Sequence, residues 1–179
     1  GRVPDDNPFG NSVWTLGNRN AQGMTLHPVT HELYEAEHGP RGGDEINLIK
    51  RGRNYGWPEV THGMNYDGTP ITGYTEKSGM EPPLHHWTPS IAVSAITFYQ
   101  GDVFGNWNGD MLVASLAKQE LHRLRFQDDR LLQQELLLKG LGRIRDVITA
   151  TSGRVYLLVE SGRPTTSRII ELTNADLRE

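Results

Sequence analysis

The chain has 179 residues, with 18 Lys and Arg against 22 Asp and Glu, and no Cys. A net charge of -4 excludes the clustered positive surface that a nucleic-acid binder needs. No run approaches the ~18 apolar residues of a membrane helix, and without cysteine there is neither a disulfide framework nor a thiolate metal site.

Twenty Gly and ten Pro, with few long helical patterns, point to an all-β protein with ordered loops. The length fits one domain, or part of one, that buries roughly 70% of its unfolded surface. The opening GRVPDDNPF is turn-rich and reads as the interior of a longer protein. Short apolar-rich segments bounded by turn residues then predict strands at 13–16, 24–26, 33–37 and 45–49. Others follow at 95–99, 111–116, 120–126, 131–139, 144–150, 155–160 and 168–172. The leucines of RLLQQELLLKG partly suit a helical stripe, but the short turns around it favour a strand.

Three stretches share one plan. GMTLHPVTHELYEAEHGPRGGDEINLI aligns with DVITATSGRVYLLVESGRPTTSRIIEL, and AITFYQGDVFGNWNGDMLVASLAKQELHRLRF is a looser copy. Repeats opening near 23, 95 and 146 suit β-propeller blades of about 40–50 residues. Residues 50–94 form a long insertion rich in Gly, Pro, Trp, Tyr and His, and loops of that length are usually functional. Three blades do not close a ring. The expectation is therefore half a propeller over 1–179, closed by further sequence or by a second copy.

Two loops concentrate unusual chemistry. GNRNAQG places Arg19, Asn20 and Gln22 ahead of a strand, where an Arg fork can grip carboxylate or phosphate and the amides add neutral donors and acceptors. The same residues equally serve turns. EHGPRGGDEIN combines Glu37, Asp44 and Glu45 with the carbonyls of Gly39 and Pro40. Such oxygens suit Ca²⁺, although the stretch also reads as a solvated hairpin. In GRIRDV, Arg143 and Arg145 alternate on a strand and share a face, with Asp146 on the other. Two cations on one face repel unless an anion lies between them. The seven histidines have no zinc spacing, and Ser94 and Ser115 have no nucleophile-elbow context.

Taken in order, GNRNAQG, EHGPRGGDEIN, RNYGWP, PSIAVSAITFY and GRIRDV resemble the soluble quinoprotein sugar dehydrogenases of the glucose/sorbosone dehydrogenase family, the aldose sugar dehydrogenases above all. The resemblance covers about residues 1–172. It implies three four-stranded antiparallel blades, half of a six-bladed propeller, binding pyrroloquinoline quinone (PQQ) and Ca²⁺. It implies cofactor contacts from Arg19, Asn20, Tyr66, Arg143 and Arg145, and from Ser115 and Leu116 in the SL strand end. For metal it implies the carbonyls of Gly39 and Pro40 and, at a separate calcium, Glu45 and Tyr55. Trp87 lies near a position where some members stack a Trp on the quinone.

The implied reaction oxidises an aldose at its anomeric carbon by hydride transfer to PQQ and passes electrons to an acceptor. The implied location is periplasmic or secreted. Two departures stand out. Ala117 occupies the place of the family's quinone-reaching Lys, with Lys118 one residue later. The catalytic His of the family belongs to its N-terminal half, and neither His38 nor His62 matches it. The alternative is a non-catalytic propeller fragment that binds carbohydrate, Ca²⁺ or a protein partner.

Overall fold

The computed structural model describes residues 2–161 and 166–174. The chain builds three antiparallel sheets in succession. The first contains β1 (Ala21–Leu26), β2 (Leu33–Glu37), β3 (Asp44–Ile49) and β4 (His85–Trp87), hydrogen-bonded in that order. The second contains β5 (Val93–Phe98), β6 (Met111–Ser115), β7 (Glu120–Gln127) and β8 (Arg130–Lys139), also in sequence order. β9 (Arg143–Thr149), β10 (Val155–Ser161) and β11 (Thr166–Leu172) form the third. A 3₁₀ turn at Gly105–Trp107 is the one helical element among the described residues.

Sheets opening at 21, 93 and 143 match the three expected repeats, and RLLQQELLLKG is a strand. It is the outer strand of its sheet, half exposed, so leucine spacing alone did not decide its state. Two expectations change. No strand forms at 13–16, where Leu16 makes only an isolated parallel bridge to Asn54. The third sheet has three strands among the described residues, not four. The segment 50–94 also contains β4, the closing strand of the first sheet.

The sheets stack face to face as blades. Tyr34, Ala36, Ile46, Leu48 and Trp87 of the first pack on Val93, Ile96, Phe98, Met111, Val113 and Leu124 of the second. The other face of the second sheet, with Ala95, Leu112, Ala114 and Leu121, packs on Ile144, Val147, Leu157 and Val159 of the third. The middle sheet is thus buried on both sides, which is why β6 opens with the unbroken apolar run MLVA rather than an alternating one. The leading strands β1, β5 and β9 lie side by side. Gly23 permits this: a Cβ there would stand 2.9 Å from the Cα of Ala95 and 3.0 Å from the amide of Ile96.

The two end sheets leave parts of their outward faces open. Met24 and Leu26 are exposed on the first, and Ile148, Leu158 and Ile169 on the third, Ile169 at 76%. These are the faces that further blades of a closed ring would cover.

Candidate cofactor and metal site

The residues singled out in the sequence gather where β1, β5 and β9 begin and β2 ends. Glu37 closes β2 and Asp44 opens β3, so the loop between them is anchored by carboxylates at both ends. The amides of Arg19 and Asn20 donate to Glu37 Oε2 at 2.5 and 3.2 Å. The Arg19 guanidinium donates to the His38 carbonyl at 2.7 Å and lies over the Trp57 ring, 5.1 Å from its centroid. Its Nε is buried without a partner. Asn20 is exposed and accepts from the Gln22 amide at 2.9 Å.

The loop 38–43 is tightly made. A Cβ on Gly39 would come 1.9 Å from the Gly42 carbonyl oxygen and 2.5 Å from the Gly43 carbonyl, so only glycine fits. The Gly39 amide donates to Asp44 Oδ1 at 3.0 Å, and the Gly43 amide donates to the Trp87 carbonyl at 2.8 Å.

Asp44 is fully buried. Besides Gly39 it accepts from Ser90 Oγ (2.7 Å) and from the amides of Ile91 (2.9 Å), Ala92 (2.6 Å) and Val93 (3.3 Å). Both oxygens are committed, which corrects the reading of Asp44 as a metal-ligand candidate. It clamps the Gly-Pro loop to the start of the second blade, and His38 adds a second tie through a short contact between its Nε2 and the Val93 carbonyl.

Glu45 points the other way, because alternate strand residues face opposite sides. Glu35 pairs with Asn47, and Glu37 with Glu45, across β2 and β3, so all four share one face. All four are buried. The Asn47 amide donates to Glu35 (3.2 Å), Glu37 (3.2 Å) and Glu45 (3.5 Å). Burial together with mutual repulsion pushes Glu35 and Glu45 up to about 8, and burial raises Glu37 against the opposing pull of the Arg19 and Asn20 amides. Glu35 Oε1 and Asn47 Oδ1 have no partner.

A void bounded by Arg19, Glu37, Gly39, Glu45, Tyr55 and Trp57 adjoins these carboxylates. A wider cleft of about 340 Å³ reaches Glu45 and Tyr55 from solvent. This donor set fits a hard divalent cation in charge and in ligand type. It is not arranged as a finished cage. The carboxylates close on the Asn47 amide, and among the described residues no three His, Asp or Glu side chains stand grouped for a metal. The Tyr55 hydroxyl donates to the Leu48 carbonyl at 2.5 Å and accepts from the Lys50 amide at 2.8 Å, leaving only its backbone carbonyl for a ligand role.

The remaining candidates divide. Tyr66 is 74% exposed and neighbours the Gly-Pro loop through Arg41, which donates to its carbonyl at 3.4 Å. Ser115 and Leu116 are buried. Ser115 Oγ donates to the Glu120 carbonyl and accepts from its amide at 3.1 and 2.9 Å, closing the β6–β7 turn. The amides of Ala117 and Lys118 both donate to the Ile91 carbonyl, at 3.1 and 3.3 Å. The chain has turned here, so strand alternation no longer sets the direction of Lys118.

In β9, Asp146 pairs with Leu158 and Ile144 with Val159, so Arg145 is a bulge. A bulge resets the alternation. Asp146 therefore lies on the face of Arg143, not opposite as alternation predicts. Arg145 donates to Glu160 at 2.7 Å, and Glu160 is the cross-strand partner of Arg143. The charge between the two arginines is thus met in part by the chain's own carboxylate. Arg145 and Asp146 line a cleft of about 440 Å³ with Gln22, Ser94 and Leu158.

Trp87 is buried in the core between the first two blades, edge-on to His85 with ring centroids 4.3 Å apart. It is not placed to stack on a ligand, and the Trp at the site is Trp57. His62 and His86 stack in parallel, 3.7 Å apart, beside the loop, and burial lowers both pKa values. Sequence reasoning missed Glu35, Asn47 and Trp57. For the first two a signal existed, since Glu35, Glu37, Glu45 and Asn47 repeat at i, i+2 on neighbouring strands.

A family model described as glucose/sorbosone dehydrogenase matches residues 1–168. The chain belongs to that family. It is 38% identical over 169 residues to the aldose sugar dehydrogenase YliI of Escherichia coli, covering 89% of this chain and 46% of that protein. It is 43% identical over 79 residues to quinoprotein glucose dehydrogenase B of Acinetobacter calcoaceticus, covering 42% of this chain and 16% of that protein. Among solved structures, a glucose dehydrogenase superposes with a TM-score of 0.88 at 38% identity, covering 97% of this chain and 52% of that one. The PQQ-bound aldose sugar dehydrogenase of Streptomyces coelicolor gives 0.76 at 28% identity, covering 96% of this chain and 48% of that one. The chain spans about half the length of these relatives, apart from the shorter Acinetobacter match.

Proposed function

We propose that these three blades form part of a PQQ-dependent dehydrogenase that oxidises aldose sugars at the anomeric carbon. The observation that carries this reading is the convergence of Arg19, the Gly39–Pro40 loop and the Arg143–Arg145 pair at one end of adjacent blades, in a member of this family. When bound, PQQ would accept the hydride, with Ca²⁺ polarising a quinone oxygen.

The chain's own residues would bind and orient. Arg19 and Asn20 offer donors at the start of β1. Arg143 and Arg145 offer cations to carboxylates at the start of β9, where Arg145 must exchange Glu160 for the ligand. The Gly39 and Pro40 carbonyls would face calcium, held by the Asp44 clamp. Glu45, with the Tyr55 carbonyl, would hold a second calcium. Tyr66 would cover the cofactor from the long insertion. The base that takes the sugar hydroxyl proton would come from blades outside this sequence, and the site would operate in the periplasm or outside the cell.

The test is a PQQ titration of the chain with Ca²⁺ and with chelator, followed by dye-linked aldose oxidation in the same samples. Calcium-dependent binding without turnover is expected, and Arg143→Gln with Arg145→Gln should weaken PQQ binding at least tenfold. Unchanged PQQ affinity in that double variant would overturn the assignment of the pair.

A further inference from the structure

Glu37 joins the two halves of the candidate site. It is 3% exposed, and its two oxygens meet different neighbours. Oε2 accepts the amides of Arg19 and Asn20 at 2.5 and 3.2 Å, just ahead of β1. Oε1 accepts the Asn47 side-chain amide at 3.2 Å, on the face that Glu37 shares with its cross-strand partner Glu45. One buried carboxylate therefore connects the loop that presents Arg19 and Asn20 to an acidic face that Glu45 opens to the cleft of about 340 Å³.

This acidic face is short of donors. The Asn47 amide nitrogen carries two hydrogens, yet Glu35, Glu37 and Glu45 lie 3.2, 3.2 and 3.5 Å from it. Glu35 Oε1 and Asn47 Oδ1 are buried without a partner among the described residues, in side chains 2% and 0% exposed. Buried oxygens left without a donor are costly. The deficit lies where a cation can reach it, because Glu45 lines the open cleft.

We infer that Glu37 is a positioning residue that couples cation binding at Glu45 to the Arg19–Asn20 loop, a reading that rests on the calcium proposed above for Glu45. Calcium on Glu45 supplies the missing positive charge and draws Glu45 away from Asn47. The two Asn47 hydrogens then serve Glu35 and Glu37. The carboxylate is planar, so fixing Oε1 also fixes Oε2 against the amides of Arg19 and Asn20. The cation thereby orders the donors of the cofactor loop without touching them. The His38 amide donates to the Asn20 carbonyl at 3.0 Å, and the Arg19 guanidinium donates to the His38 carbonyl. These ties hold the loop with or without the cation, so calcium tightens the loop rather than building it.

The test follows amide hydrogen exchange in the full chain by NMR, with calcium and with chelator, and without PQQ. Calorimetry on the same samples measures calcium binding. Calcium should slow exchange at Arg19 and Asn20 by about fivefold or more, and the Asn47 side-chain amide resonances should shift at the same calcium concentration. Glu45→Gln should abolish both responses. Glu37→Gln keeps an acceptor for the loop and adds two hydrogens to the acidic face, so calcium should still bind while exchange at Arg19 and Asn20 no longer responds. Calcium binding without slower exchange, or an equal response in Glu37→Gln, would overturn the coupling and leave the calcium site standing. A response that persists in Glu45→Gln would assign it to the Gly39–Pro40 loop and also overturn the coupling. Absence of calcium binding would overturn both. The Asn47 resonances are read in the unsubstituted chain, so their failure to shift overturns the coupling even if neither variant folds. With PQQ absent throughout, failure of the PQQ assignment leaves these outcomes unchanged.

Discussion

Asp44 and Glu45 are neighbours in sequence, both buried, both carboxylates, and the structure treats them in opposite ways. Asp44 faces the second blade and accepts from four amides and one hydroxyl. Glu45 faces away from it, shares one amide with Glu35 and Glu37, and is driven toward its protonated form. A buried carboxylate with a full set of donors is an architectural clamp. One without them is a reservoir of unmet charge that a proton or a cation must neutralise. One strand thus fastens a loop with one face and keeps an electrostatic demand on the other.

The sharpest way to break this comparison is to remove each carboxylate. Asp44→Ala should destabilise the fold by about 3–5 kcal/mol, because it leaves several buried donors unpaired. Glu45→Gln, in chelator at pH 8, should be neutral or stabilising. Urea unfolding measures both, and equal losses at the two positions would erase the distinction.

The second prediction concerns pH. The folded-state values of Glu35 and Glu45 rise from 4.5 to about 8. Between those limits the folded chain holds more protons than the unfolded chain. Their contribution is fully present below about pH 4.5 and is lost as pH rises through 8. In chelator, stability should fall by up to about 1.4 kcal/mol per pH unit for each group, and Glu35→Gln should flatten part of the slope. A flat profile from pH 5 to 8 would mean that both carboxyls ionise freely.

Calcium should reverse that loss. At pH 8, calcium at a hundredfold excess over its dissociation constant would add about 2.7 kcal/mol, read as a rise in Tm that Glu45→Gln abolishes. No rise at millimolar calcium would leave the acidic face to protons alone. The smallest expected effect is Tyr55→Phe, about 1–2 kcal/mol, from loss of the hydroxyl that joins Leu48 and Lys50. Circular dichroism melts check it, and a neutral result would show that water replaces the hydroxyl.

Much of this was legible in the chain itself. The repeats at 23, 95 and 146 located the blades, because each blade must offer apolar residues at a fixed spacing to its neighbour. The glycines and carboxylates of EHGPRGGDEIN marked a loop that only glycine could fold. Local composition also marked Arg19, Arg143 and Arg145 as candidates, since few other residues can bind carboxylates by a planar fork. What it could not determine was which carboxylate is satisfied. Asp44 and Glu45 differ through contacts with residues 90–93 and with Asn47, and donors more than forty positions away are assigned only when blades stack. The bulge at Arg145 likewise turned Asp146 to the arginine face, and β4 emerged inside a segment without a strand-like pattern, because pairing with β3 supplied what three residues alone lack. Sequence determined the blades and the inventory of charges; tertiary packing decided which carboxylates received a full set of donors and which did not, because hydrogen-bond donors and burial are properties of neighbours in space.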